Sequence, residues 1–129
     1  MYESFESILF ISSGAILGAN FRMELIRHLE SRLSKKFPSF IVINLIATFL
    51  IGYLVAFEKQ NLSYLKTNNY ILFFNIGLLG SFSTFSAFIL EVFEKIKRGN
   101  YYDAFFIIST LVSGGILSAF LGYKIAYAK

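Results

Sequence analysis

The sequence predicts an all-α membrane protein with four transmembrane helices, and three observations carry that reading. Hydrophobic residues make up 56 % of the 129 and charged residues only 16 %, where an average soluble domain carries about 25 % charged residues. Mean hydropathy is +0.62. The charges also fall between four apolar runs and never inside them. With 16 Phe and 8 Tyr, a soluble fold of this size would expose sticky aromatic surface. A lipid solvent removes that difficulty.

The first run, Ser7 to Phe21, spans 15 residues and reaches only about 22 Å at the helical rise. It must extend past Arg22, or that guanidinium must snorkel or be buried in protein. The expected helix covers about 5–27. Gly14, Gly18 and Arg22 repeat every four residues on one face of it, and small residues so spaced let helix backbones approach closely in lipid. The second run, Phe37 to Phe57, is long enough for a hydrocarbon core of about 30 Å. It predicts a helix over about 38–58, with Pro38 suited to its first turn. Asn44 lies in its first half; its amide can both donate and accept, and such a residue is ordinarily glue to a neighbouring helix.

The third run, Thr67 to Leu90, predicts a helix over about 68–97 with a break near 80–84. Gly77, Gly80, Ser81, Ser83, Thr84 and Ser86 crowd its middle. Such a stretch suits a helix that breaks where protein surrounds it, freeing carbonyls for a small cation and presenting a half-helix N-terminus. A straight helix with its hydroxyls bonded to the preceding turn is the other reading. Phe82, Phe85 and Phe88 recur every three residues. A Phe stripe is ordinarily packing, but phenyl edges carry partial positive charge and suit a weakly binding anion path. Glu91 lies one turn beyond, either at the interface or facing the path. The fourth run, Ala104 to Tyr123, predicts a helix over about 101–126 and carries a second small-residue stripe, Gly114, Ser118 and Gly122.

The connections supply turns and topology. Residues Arg22 to Lys36 read as a basic loop, Glu58 to Lys66 as a polar one, and Gly99-Asn100 as a turn pair. Loops one and three carry eight basic residues; the termini with loop two carry four. The positive-inside rule then favours loops one and three in the cytoplasm. A net charge of +4 placed this way anchors to a membrane surface and implies no nucleic acid. The N-terminus has no basic n-region, and no cleavable signal is expected. There is no Cys, and His28, the lone His, reads as a solvated loop residue. No catalytic cluster or cofactor motif appears, so no enzyme is expected.

Together these residues resemble the Fluc/CrcB family of fluoride channels. The stretch Gly80-Ser-Phe-Ser-Thr-Phe-Ser-Ala-Phe88 is similar to the family's Gly-Gly-Leu-Thr-Thr-Phe-Ser-Thr-Phe signature. Gly14 to Arg22 looks like its first-helix element. Val42-Ile-Asn44 with Thr48-Phe49 and Gly52 looks like its second, and Leu121-Gly122 fits its fourth. The resemblance implies passive fluoride exit from the cytoplasm, and so protection against fluoride toxicity. It implies a multi-pass protein of the cell (inner or plasma) membrane. The assembly would be an antiparallel, dual-topology dimer, either a homodimer or a heterodimer with a paralogous, oppositely oriented subunit. It assigns Asn44, Phe85, Phe88 and Ser86 to a fluoride pore, Arg22 to its aqueous entrance and Glu91 to an acidic position beyond. Gly80 and Ser83 would offer backbone carbonyls to a structural Na⁺ at the dimer centre. On helix four the register is open, with Phe106 and Thr110 or their neighbours at the pore positions. Ala87 stands where the family has Thr, Ala47 where it has Gly, and Ser81-Phe82 where it has Gly-Leu. Two other functions fit four small helices. A drug or cation transporter wants a carboxylate within a membrane helix, but Glu3 and Glu6 precede the first run. A non-transporting membrane scaffold has no feature in its favour.

Overall fold

The computed structural model describes residues 2–32, 38–60 and 68–128. Helix α1 runs Tyr2–Arg32 and α2 runs Ser39–Gln60. The third span is composite: α3 (Asn68–Ile71), a π-helical stretch (Leu72–Leu79), α4 (Gly80–Phe82) and α5 (Phe85–Lys97). Helix α6 runs Tyr101–Tyr127. The four segments long and apolar enough to cross a membrane are Phe5–Arg32, Ser39–Gln60, Asn69–Lys97 and Tyr101–Tyr127.

Helix α1 continues well beyond Arg22, so the expected basic loop is helical as far as Arg32 and His28 is an exposed helical residue. The reason is local. Met23, Glu24, Leu25, Arg27 and Leu29 are good helix formers, and Arg27 pairs with Glu24 at 3.0 Å, a spacing that supports helix. Lys35, Lys36 and Lys66 lie outside the described residues.

Two parallel pairings build the fold. α1 packs along the π-helical stretch and α4, and α2 packs along α6. In the first pair a Cβ added to Gly77 would lie 3.1 Å from the Gly14 Cα and 2.6 Å from the Ile11 carbonyl oxygen. A side chain on Gly14 would strike the Phe73 carbonyl, and one on Gly18 the Leu78 carbonyl. In the second pair a side chain on Gly52 would strike Ala119 and one on Gly122 would strike Phe49. Ser118 Oγ donates to the Leu45 carbonyl at 2.7 Å, and Gln60 Nε2 to the Tyr127 carbonyl at 3.3 Å. Both small-residue stripes are therefore close-packing seams. Spans one and three run alike, and so do two and four, as an up-down-up-down path requires.

The hairpin from α5 to α6 closes on a Schellman motif. Asn100 N–H donates to the Lys95 carbonyl and Gly99 N–H to the Ile96 carbonyl, both at 2.9 Å. Gly99 has φ 77°, the left-handed conformation that this motif puts on glycine. The core is thin. Ile41, Val92, Ala104 and Ile107 form one cluster, with Ile43, Ala47 and Phe82 forming another. Many large apolar side chains face outward, among them Phe21, Phe85, Phe105 and Ile116. In water that surface would be a liability; in lipid it is the expected exterior.

Candidate functional site

Backbone geometry at the end of α4 sets the site. Ser83 (φ −92°, ψ 124°) and Thr84 (φ −121°, ψ 111°) are extended, and helix resumes at Phe85. Helix ends leave carbonyls on one side and N–H groups on the other without intrahelical partners. Gly80 and Ser83 lie on the carbonyl side. Ser83 N–H still donates to the Leu79 carbonyl at 3.0 Å. Phe85, Ser86 and Phe88 occupy the first turn of α5, where the N–H groups and the helix dipole favour negative charge.

Around this point the structure gathers some of the expected residues. Arg22, half-buried on α1, donates from Nη1 to Thr84 Oγ1. Among the described residues no carboxylate pairs with it. Phe85 and Phe88 have ring centroids 5.6 Å apart, tilted by 58°. Phe85 is 73 % exposed, whereas Phe88 packs against the Ile41 cluster. Ser86 is exposed. Phe82 leaves the expected stripe: it is buried with Ile43 and Ala47, with its ring 5.8 Å from Phe21. The extended pair Ser83-Thr84 breaks the three-residue repeat between Phe82 and Phe85.

Other expected residues stand apart. Asn44 on α2 and Thr110 on α6 are half-buried, and their side chains form no hydrogen bond with the α5 residues. The Asn44 carbonyl accepts from Thr48 Oγ1 at 3.0 Å. Glu91, two turns beyond Phe85, lies 4.0 Å from Lys95 Nζ, which also reaches Asp103 at 3.6 Å. That cluster ties α5 to α6. Lys95 and Asp103 are thus contributors that residue pattern alone did not single out, and Thr84, noted only among the crowded hydroxyls, gains a partner in Arg22. So is Asn75, whose Oδ1 is buried without a hydrogen-bond partner among the described residues. It borders an apolar recess of about 220 Å³ between α2 and the start of the third span. Its signal was available as the lone amide between Tyr70 and Leu90.

The signature of the family described as "CrcB-like protein, Camphor Resistance (CrcB)" matches residues 9–123. The chain belongs to the CrcB family. The match takes in nearly all of the four apolar segments. Curated relatives agree. A "Fluoride-specific ion channel FluC" of Marinobacter nauticus is 37 % identical over 117 residues, 91 % of each chain. A "Fluoride-specific ion channel FluC 2" of Prochlorococcus marinus is 35 % identical over 115 residues, covering 89 % of this chain and 93 % of the relative. A "Fluoride-specific ion channel FluC" of Oceanobacillus iheyensis is 33 % identical over 121 residues, covering 93 % and 91 %. With four apolar helices and this family, the CrcB chain is a multi-pass membrane protein.

Proposed function

We propose that this protein is a fluoride-selective ion channel that lets fluoride leave the cytoplasm down its gradient and so limits fluoride toxicity. It is a channel and not an enzyme. The observation that carries the reading is likeness to relatives named as fluoride-specific ion channels, over 89 % of the chain in one and 93 % in another, with the CrcB family match. The chemistry of the α5 entry supports it. Fluoride is small and strongly hydrated, so its path must replace water with neutral donors and partial positive edges without a trap. Phe85 and Phe88 supply ring edges, Ser86 a hydroxyl, and Asn44 an amide donor. Thr110 is the polar position on α6. Arg22, with no carboxylate partner among the described residues, raises the local concentration of anions at a wide entrance. Glu91 marks the far end, its charge offset by Lys95.

In this reading the third span is a helix broken within the membrane at Ser83-Thr84, tolerated because α1 and α2 surround it. Four short helices cannot enclose a pore alone, so the working unit is an antiparallel dimer. Phe85 and its neighbours on α5 offer an apolar face for a partner copy. That partner is a second copy of this chain or a paralogue inserted the other way up. The Gly80 and Ser83 carbonyls suit a structural Na⁺ at the dimer centre. They are neutral oxygen donors at a helix end whose usual acceptor bonds are missing, and Gly80 is exposed. Bound there, Na⁺ would hold the two broken helices together. The membrane is the cell's inner or plasma membrane.

The test is fluoride efflux from liposomes carrying this chain alone, read with a fluoride electrode against chloride, with and without Na⁺. Rapid fluoride-selective efflux that Asn44→Asp abolishes is the expected result. Efflux of chloride at a comparable rate would defeat the selectivity assigned here.

A further inference from the structure

Helix α1 meets the third span both before its extended residues and at the second of them. Before them, Gly18 lies so close to the Leu78 carbonyl and Ser81 Oγ that a side chain would collide with both. At the second of them, Arg22 holds the Thr84 hydroxyl. Gly18 and Arg22 are four residues apart and share a helix face. Between them, Phe21 packs on the buried Phe82 ring.

The Thr84 hydroxyl is the telling group. Threonine before a helix ordinarily accepts a hydrogen bond from an N–H of the first turn, which fixes how the chain enters the helix. Thr84 makes no such cap to α5. Its oxygen accepts instead from Arg22, 62 residues earlier in the chain. A local restraint on the α5 entry has been replaced by a long-range one. A guanidinium half-buried in an apolar helix is costly unless it is bonded, so both groups gain from the arrangement.

We propose that Arg22 is a positioning residue that acts through Thr84. By holding that hydroxyl it sets the angle at which α5 begins. It thereby places the Phe85 ring and the Ser83 carbonyl next to it. This inference rests on the fluoride-channel reading and adds to it a role distinct from the charge that Arg22 brings to the entrance. A charge acting on its own in the entrance needs no particular partner. A positioning contact fails when either partner is lost, and losing the second partner then changes little.

The experiment is a double-mutant cycle in the full-length protein: Arg22→Gln, Thr84→Val, the pair together, and Thr84→Ser, which keeps the acceptor. Fluoride efflux, the fluoride-to-chloride rate ratio and the melting temperature are measured for each. Each single loss is expected to slow fluoride efflux about tenfold, and the pair by about the same factor because coupled sites are not additive. Thr84→Ser is expected to recover most of the flux. The fluoride-to-chloride ratio falls along with the flux in the impaired variants, which a smaller fraction of folded protein would not produce. Losses that multiply in the double variant, or a Thr84→Val protein that conducts like wild type, would overturn the proposal. A wild type without fluoride flux would overturn the channel reading itself. The contact is then judged by melting temperature alone: additive shifts reject it and non-additive shifts keep it.

Discussion

Phe85 and Phe88 sit one turn apart, yet their surroundings give them different jobs in the isolated chain. Phe88 packs against Ile41, Val92, Ala104 and Ile107, while Phe85 is 73 % exposed. Substitution should separate packing from permeation. Phe85→Ile leaves the Ile41 cluster untouched and keeps an apolar side chain on the face proposed for a partner copy, so it should cost less stability than Phe88→Ile. The phenyl edge is lost, and fluoride efflux should fall. Phe88→Ile should lower efflux and also cost about 1 kcal/mol or more of stability, because the branched side chain refills the ring's volume poorly. Thermal melts beside efflux from the same preparations check both. If Phe85→Ile conducts normally, its ring is no part of the path. At this scale the sequence disclosed residue types better than their partners. The crowding of Gly and hydroxyl residues around Ser83 was plain. Nothing in the apolar run announced that Thr84 would bond to Arg22, because that contact depends on how two distant helices align. Lys95 and Asp103 read as loop charges for the same reason, since only the hairpin brings them to 3.6 Å.

Helix seams here are set by glycines, and two glycines of the α6 stripe make contrasting predictions. A Cβ on Gly122 would run into the Phe49 carbonyl and the Tyr53 backbone, which cannot move without shifting α2. A Cβ on Gly114 would meet the Leu45 Cδ2 at 3.1 Å, the far end of a flexible side chain. Gly122→Ala should therefore destabilise by about 1–3 kcal/mol, the usual cost of overpacking. Gly114→Ala should sit near neutral, since alanine also favours helix by about 0.8–1 kcal/mol. Melting of the two purified variants decides this, and equal losses would mean that the α2–α6 seam is looser than described. Gly99→Ala tests a different element. Its φ of 77° strains any side chain, so a loss of about 1 kcal/mol or more is expected in the same assay. The spans and both glycine seams were legible because charge exclusion and small-residue spacing are one-dimensional signals. The π-helical register of Leu72–Leu79 was not. An i→i+5 pattern leaves no mark in a run where nearly every side chain is apolar. The extent of α1 was also hidden, because charged helix formers such as Glu24 and Arg27 look like a loop when apolarity is the guide.

At the scale of the whole molecule, helix pairing and loop charge bear on which way up the chain sits. Parallel pairing of spans one with three and two with four puts the Gly99-Asn100 turn on the opposite side from Ala128. The charge count, eight basic residues against four, tilts the Asn100 side toward the cytoplasm. Yet the tilt is small, and loop charge orients a protein strongly only when the imbalance is large. An antiparallel dimer of one chain needs both orientations in the same membrane. A chain with no native Cys allows a clean test. Asn100 and Ala128 are both exposed, so Asn100→Cys and Ala128→Cys each offer a single thiol to a membrane-impermeant maleimide on intact cells. Both variants should label, with Ala128→Cys the stronger of the two. Labelling of Ala128→Cys alone would mean one fixed orientation, and an antiparallel dimer would then require a differently oriented partner subunit. In that case liposomes with this chain alone should be silent while co-purified pairs conduct. Labelling of Asn100→Cys alone would reverse the topology and remove the basis of the charge argument.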